Sequence, residues 1–513
     1  MSKRFPGRRL SPFRLTLLLA VLAAVAASGV YGVGWWRDAQ AAERSDPWFA
    51  AYVDATATPA YPFESPSDPT DANVVLSFIV AAGPGRCESS WGGYYSPDEA
   101  QAKLDLDRRI ARLRQSNGEV VLSFGGQANS ELALECGSVE ELSAEYGRVV
   151  ERYRPAAIDL DIEGPALADV DSRARRAQAV AALQASLDRP LPTWLTLPVG
   201  PDGLTPDGVA TVQAFLEAGV DLEGVNVMTM NFTSAEAATG QSGVAIASLT
   251  ATHRQLVALY ADHGRPIGAM TAWRMIGATP MIGQNDVTAE VFSLDDARRL
   301  RAFAEENQLG RLSMWSANRD ASCAAAYVDL SVVSDSCSGV DQGDERFATI
   351  LGTGFTGTPA GSDGEGAETP TVRPEEITDD PATSPYPIWD AASSYPSETR
   401  VVWRRNVYEA KWWNTNAQPD DPRIAPADSP WRLIGPVLPG EKPLPQLSLP
   451  GDFYPAWDPE EIYLQGGRVM LDGVAFEAKW WTQGDNPVSG QADPGSSPWR
   501  TLTQEEIGKL LEG

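Results

Sequence analysis

The chain has 513 residues, enough for two or three domains, and a hydrophobic share of 43%, enough for real cores. Its formal charge of -28 excludes nucleic acid as a natural partner, because phosphate binding needs clustered lysine and arginine. The only histidines are His253 and His263, which read as ordinary helix-surface residues, and none of the four cysteines forms a Cys-x-x-Cys pair, so no zinc-type cluster can be assembled and neither metal nor cofactor is expected.

Residues 1–14 carry Lys3, Arg4, Arg8, Arg9 and Arg14, and an uncharged apolar run from Leu15 to Trp36 follows. The run exceeds the ~7–15 residues of a cleavable signal core and approaches the ~20 of a membrane span. Trp35 and Trp36 suit a membrane interface, whereas Ala39-Gln40-Ala41 suits a signal peptidase. Residues 1–45 are therefore an export signal, cleaved or kept as an N-terminal membrane anchor. In either case the rest is extracellular, secreted or held at the outer face of the membrane. An even count of cysteines in an exported chain suggests two disulfides. Cys87–Cys136 with Cys323–Cys337 is the expected pairing, one of the three that four cysteines allow.

Between residues 46 and 345, short β-type runs alternate with longer amphipathic stretches. The runs are Trp48–Asp54, Asn73–Val80, Glu119–Gly125, Ala157–Glu163, Thr193–Val199, Gly224–Asn231, Ile267–Trp273 and Arg311–Trp315. Eight strands alternating with helices over this length predict an α/β fold, a (β/α)8 or TIM barrel, with functional residues at the C-terminal ends of the strands.

The fourth run, Ala157-Ile158-Asp159-Leu160-Asp161-Ile162-Glu163, alternates aliphatic with acid. On a strand this puts Asp159, Asp161 and Glu163 on one face and Ile158, Leu160 and Ile162 on the other. Carboxylates that close cannot all stay ionised in a partly dry site, so at least one pKa is expected to rise. A raised pKa lets a carboxyl stay protonated and act as a general acid.

Residues 346–384 are rich in Gly, Pro, Thr, Ser, Asp and Glu, without a hydrophobic period, and read as a flexible acidic linker. An internal repeat follows. Tyr386-Pro387-Ile388-Trp389 returns as Tyr454-Pro455-Ala456-Trp457, and Tyr408-Glu409-Ala410-Lys411-Trp412-Trp413 as Phe476-Glu477-Ala478-Lys479-Trp480-Trp481. Ser429-Pro430-Trp431-Arg432 returns as Ser497-Pro498-Trp499-Arg500, all at one offset. The repeat predicts two small all-β modules at 385–440 and 453–506, with tryptophan supplying much of each core.

Asp159-x-Asp161-x-Glu163 resembles most of the family 18 glycoside hydrolase signature, Asp-x-x-Asp-x-Asp-x-Glu. Ser123-Phe124-Gly125-Gly126, Val227-Met228-Thr229-Met230-Asn231-Phe232, Thr279–Asp286 and Met314-Trp315-Ser316-x-Asn318-Arg319-Asp320 are similar to further family motifs, in the same order along the chain. The resemblance implies substrate-assisted, retaining hydrolysis of β-linked N-acetylglucosamine. It implies Glu163 as acid and base, Asp161 orienting the substrate acetamido group, and Asp159 tuning Asp161 by sharing a proton. Trp315 is implied as sugar platform, with Met228, Met230, Asn231, Gln127 and Trp273 as candidate lining residues, and Asn129 as a weaker one. The repeats resemble carbohydrate-binding families 5 and 12, marked by Ala-Lys-Trp-Trp. That likeness implies chitin as partner, with Trp413 and Trp481 outward and Tyr386 and Tyr454 as helpers. There are three departures: Ala156 for the first Asp of the signature, Met230 for a frequent Tyr, and Asn231 for a more usual Asp. The Asn should raise the pKa of Glu163 less than an Asp would. The expected function is an exported chitinase. The alternatives are a non-catalytic chitin-binding protein and an endo-β-N-acetylglucosaminidase acting on peptidoglycan or glycoprotein glycans.

Overall fold

The structure, a computed structural model, describes residues 44–232, 240–324, 333–361, 377–444, 447–488 and 496–512. The apolar run Leu15–Trp36 and its flanking basic residues lie outside them. Among the described residues no helix is long and apolar enough to cross a membrane. The chain divides into two compact units, Met1–Leu104 with Ser116–Glu365, and Asp105–Gln115 with Gly366–Gly513.

The first unit is a closed parallel barrel. Its strands are β1 (Trp48–Phe49 and Ala51–Asp54, interrupted at Ala50), β2 (Asn73–Ala81), β3 (Glu119–Gly125), β4 (Ala157–Asp161), β5 (Thr193–Gly200), β6 (Leu222–Met228), β7 (Ile276–Thr279) and β8 (Arg311–Leu312). Each pairs with the next, and β1 pairs with both β2 and β8, so the sheet has no free edge. Helices Val139–Tyr153, Val170–Ser186, Pro206–Ala218, Gln241–Asp262 and Leu294–Asn307 alternate with the strands. Ser138, Asp169, Thr205 and Ser293 cap four of them, each accepting from a backbone N–H of the first turn.

One strand lies elsewhere than the sequence predicts. Residues of the expected run Ile267–Trp273 form a helix, Ala269–Arg274, and the seventh strand is Ile276–Thr279. Both segments are apolar and short, and periodicity cannot separate a short buried strand from a buried helix turn. The barrel unit also continues beyond residue 345. Helix Phe347–Gly352 buries Phe347, Ala348 and Leu351, so the first residues of the expected linker belong to a packed element. The linker stretch 362–376 lies outside the described residues. Both disulfides form as expected, Cys87–Cys136 and Cys323–Cys337.

The second unit contains two copies of one small β-fold. The first has strands Arg400–Trp403, Asn406–Ala410 and Trp431–Pro436 in one sheet, and the second has Arg468–Leu471, Val474–Ala478 and Trp499–Thr501. The repeated residues explain the likeness. Trp431 packs edge-on to Tyr395 as Trp499 does to Tyr463, and each indole N–H donates to a backbone carbonyl, of Ala417 or of Asp485. Arg400, Glu409 and Arg432 form a cross-strand ion-pair row, repeated as Arg468, Glu477 and Arg500.

Candidate active site

Alternation along β4 sends Ile158, Leu160 and Ile162 into the packing around the barrel, and Ala157, Asp159 and Asp161 into its interior. Glu163 stands two residues beyond Asp161, in extended conformation just before the short helix Gly164–Ala168. The neighbouring strand end must come close for this to work. Gly125 closes β3 at φ +103°, and a Cβ there would lie 2.1 Å from the carbonyl oxygen of Asp161. Gly126, at φ +88°, donates its N–H to that same oxygen and would meet the Phe78 ring if it carried a side chain. The Gly-Gly pair is therefore required by close approach and by a left-handed backbone.

The three acids have different surroundings. Asp159 is fully buried and receives four hydrogen bonds. Tyr52 and Ser123 donate to Oδ2 at 2.8 Å each, and Thr196 and the Arg311 guanidinium donate to Oδ1 at 2.6 and 2.7 Å. Arg311, on β8, is fully buried too, and its guanidinium lies over the rings of Trp48, Tyr52 and Trp194. The network runs on through Asn226, which donates to Thr196 and Thr279. Burial, with Asp159 next to it, holds the Tyr52 phenol well above its usual pKa, so it remains a donor.

Asp161 is buried and pairs with Glu163, not with Asp159: its carboxyl hydrogen-bonds that of Glu163. The expected sharing of a proton between Asp159 and Asp161 is thus replaced. Both oxygens of Asp159 are taken by other donors, and Arg311 supplies its counter-charge. Burial pushes the Asp161 pKa well up, and the charges of Glu163 and Asp159 push it further, against a smaller downward pull from Arg311. Burial also raises Glu163; its hydrogen bond from Asp161 acts in the opposite direction, and the nearby Asp286 carboxylate raises it again. Two carboxyls that meet in one hydrogen bond, both raised by burial, hold a proton between them. Asp161 Oδ1 is buried with no hydrogen-bond partner, an acceptor left over in the site.

These groups open into a cleft of about 190 Å³. Of the residues expected from the sequence, Asp161, Glu163, Gln127, Met228, Met230, Asn231 and Trp315 line it. Trp315 stacks on Phe78 at 5.3 Å and tilts against Tyr52. Trp273 does not line it: on its helix it stacks on His253 at 4.2 Å and packs edge-on to Phe303. Asn129 supports a neighbouring turn, donating to the Gly92 carbonyl at 2.9 Å. The residues after Trp315 hold the barrel together. Asn318 clamps the Asp54 backbone, Arg319 donates to the Gln284 carbonyl, and Asp320 accepts from the N–H groups of Phe347 and Ala348.

Sequence reasoning did not assign Tyr52, Phe78, Thr196 or Asp286 to the site. Asp286 is the informative omission. Asn231 donates from Nδ2 to its Oδ2 at 2.9 Å, so a carboxylate from another loop stands beside the position where an Asp was expected. The loss of charge at Asn231 is offset, and Asp286 is among the causes that raise Glu163.

On the modules, Trp480 and Trp481 are both exposed, at 44% and 58%, whereas Trp412 and Trp413 are half-buried. The ammonium groups of Lys411 and Lys479 sit over Trp412 and Trp480, leaving the second ring of each pair without that cover. Tyr386 and Tyr454 are tied down: Arg400 and Arg468 donate to their hydroxyls and lie over their rings.

The sequence profile of carbohydrate-binding module family 5/12 matches residues 456–500, within the second copy. A probable bifunctional chitinase/lysozyme of Escherichia coli K12 is 34% identical over 285 residues, 53% of this chain and 31% of that protein. Endochitinase 11 of Metarhizium anisopliae is 37% identical over 223 residues, 41% of this chain and 42% of that protein. The chain thus spans less than half the length of either relative. The catalytic domain of a hyperthermophilic chitinase from Pyrococcus furiosus superposes with a TM-score of 0.52 at 26% identity, over 61% of this chain and 95% of that domain. Residues 456–500 thus match a carbohydrate-binding module of family 5/12, and the barrel is similar to these chitinases. The first copy, at 385–440, shares the strand pattern and the packed tryptophans of the matched copy.

Proposed function

We propose that this chain is a family 18 glycoside hydrolase that cleaves β-1,4-linked N-acetylglucosamine polymers, chitin first among them, with retention and with the substrate's own acetamido group as nucleophile. The observation that carries the reading is the Asp161–Glu163 pair, in which two raised carboxyls share a hydrogen bond while Asp161 Oδ1 lacks a partner. In the free enzyme the pair holds one proton in its hydrogen bond. Substrate offers an acetamido N–H, and Asp161 turns to accept it, leaving the proton on Glu163. Glu163 then donates to the glycosidic oxygen as the acetamido carbonyl oxygen attacks the anomeric carbon and the C–O bond breaks. The oxazolinium cation so formed faces the Asp161 carboxylate. Glu163, now ionised, takes a proton from water as the water oxygen attacks the anomeric carbon and reopens the ring. Asp159, fixed by Arg311, keeps a second negative charge beneath this cation.

The exposed Trp481, beside a module profile at 456–500, supports chitin as the partner outside the cleft. Peptidoglycan is the second reading, favoured by the likeness to the probable bifunctional chitinase/lysozyme of E. coli. The basic and apolar N-terminal residues support export, with the segment either cleaved or kept as an anchor. The test is hydrolysis of chitin oligosaccharides by the whole chain beside Glu163→Gln. The substitution is expected to lower kcat by about 10²–10⁴-fold, the range of a general acid–base group, while pull-down on chitin persists. Activity that survives Glu163→Gln sinks the mechanism. If both proteins bind chitin and neither cleaves oligosaccharide, the barrel is a binder.

A further inference from the structure

The cleft at Glu163 is small for a polymer. Its 190 Å³ falls below the roughly 300–1,000 Å³ of ordinary ligand sites. A second recess of about 580 Å³ adjoins it, and Val333 and Asp335 line both. The recess is polar: beyond that shared wall it is formed by Asp54, Thr56, Tyr61, Tyr94 and Asn318, among others. Asn318 bonds the Asp54 backbone and the Thr56 hydroxyl bonds Asp54 Oδ1, so the wall is a pre-ordered polar surface of the kind that meets sugar hydroxyls.

Tyr94 stands out. It is 74% exposed, the most exposed large hydrophobic side chain among the described residues, yet its backbone is held firmly. Its N–H donates to the Trp91 carbonyl, and the turn before it uses Gly92 and Gly93 at φ +59° and +78°. Asn129 pins that turn through the Gly92 carbonyl, and a Cβ on Gly93 would press on the Asn129 side chain at 3.2 Å. A large ring left in water on a rigid turn offers a flat face whose backbone needs no further ordering, so only the few rotamers of one ring are lost on binding. Such a face stacks on the apolar side of a pyranose.

We propose that this recess is an extension of the substrate site, in which Tyr94 stacks on an N-acetylhexosamine unit of the polymer remote from the bond being cleaved, and Asp335 bridges the two compartments as an acceptor for sugar hydroxyls. The extension rests on the reading of the barrel as an N-acetylglucosamine polymer hydrolase. It makes the enzyme select for chain length, because only a chain long enough to run from the cleft into the recess meets Tyr94; trimer and hexamer sample the short and the long case.

The experiment compares the whole chain with Tyr94→Ala and Tyr94→Phe on the chitin trimer and hexamer. The hexamer-to-trimer ratio of kcat/KM falls about tenfold in Tyr94→Ala, the size of one well-placed aromatic contact, and is kept in Tyr94→Phe, which retains the ring. An unchanged ratio in Tyr94→Ala, or an equal fall in Tyr94→Phe, overturns the stacking role. If the parent cleaves neither oligosaccharide, the hydrolase reading fails, and the extension is then read by calorimetric titration with hexamer. Module binding is common to all three proteins, so fewer hexamer equivalents bound by Tyr94→Ala alone supports the site, and identical titrations overturn it.

Discussion

Replacing Arg311 by Met tests whether the barrel interior is built around one ion pair. Arg311 and Asp159 both have 0% side-chain exposure and meet at 2.7 Å. Removing the guanidinium also takes a hydrogen bond from the Tyr52 hydroxyl and one from Ser313. Breaking a buried pair by removing one partner costs about 3–5 kcal/mol, because the remaining charge has neither water nor counter-ion. Against a usual stability of about 5–15 kcal/mol that is a large fraction. The assay is denaturant unfolding of parent, Arg311→Met, Asp159→Asn and the double variant. Arg311→Met alone carries the full deficit, and the double variant regains most of it, since a neutral pair leaves no charge uncompensated. Arg311 also pulls the Asp161 pKa down, so its removal raises Asp161 further and hinders passage of the proton to Glu163. A stability loss below about 1 kcal/mol, the value of an exposed pair, refutes the reasoning. So does a double variant as unstable as the two single losses added.

Asp286→Asn removes a neighbouring charge that raises Glu163. With that cause gone, the Glu163 pKa falls, the acid form is lost at lower pH, and the basic limb of the kcat/KM profile moves toward acid; a limb that stays in place, or moves toward base, contradicts the assignment. On the modules, Trp481→Ala is expected to weaken retention on insoluble chitin more than Trp413→Ala, because the first ring is exposed and the second half-buried. Loss of one of two linked modules lowers avidity by more than its own affinity suggests. Equal effects in a chitin-column retention assay count against a dominant second module.

Alternation along one strand was sufficient to place Asp159 and Asp161 inside and Ile158, Leu160 and Ile162 outside, because a period of two is a property of the backbone alone. The repeat was equally plain, since its matching residues are core aromatics whose positions recur at one offset. The seventh strand was not legible. Ile267–Trp273 and Ile276–Thr279 are neighbouring apolar runs, and only closure of the barrel, in which β7 must pair with both β6 and β8, selects the second. Trp273 was misplaced with its strand, and the packing of its ring against His253 and Phe303 needed the helices around it.

Alternation shows the acids as a ladder but not the partners that separate its rungs. A linear window shows Asp159 next to Asp161 but not Arg311, which lies 152 positions away and meets Asp159 only when β8 closes the barrel. Its arrival divides the ladder. Below it is an ion pair fixed by four donors; above it is a proton-sharing pair with an idle acceptor. The same closure explains why Asn231 is compatible with a general acid at Glu163. A neutral residue there, taken alone, predicts a weaker upward push on Glu163. The loop after β7 brings Asp286 to within 2.9 Å of the Asn231 amide, and the negative charge returns on a different part of the chain. What the site holds in place is a charge near Glu163. Which strand end or loop supplies it depends on how the barrel closes, and a motif alignment, position by position, counts that exchange as a loss.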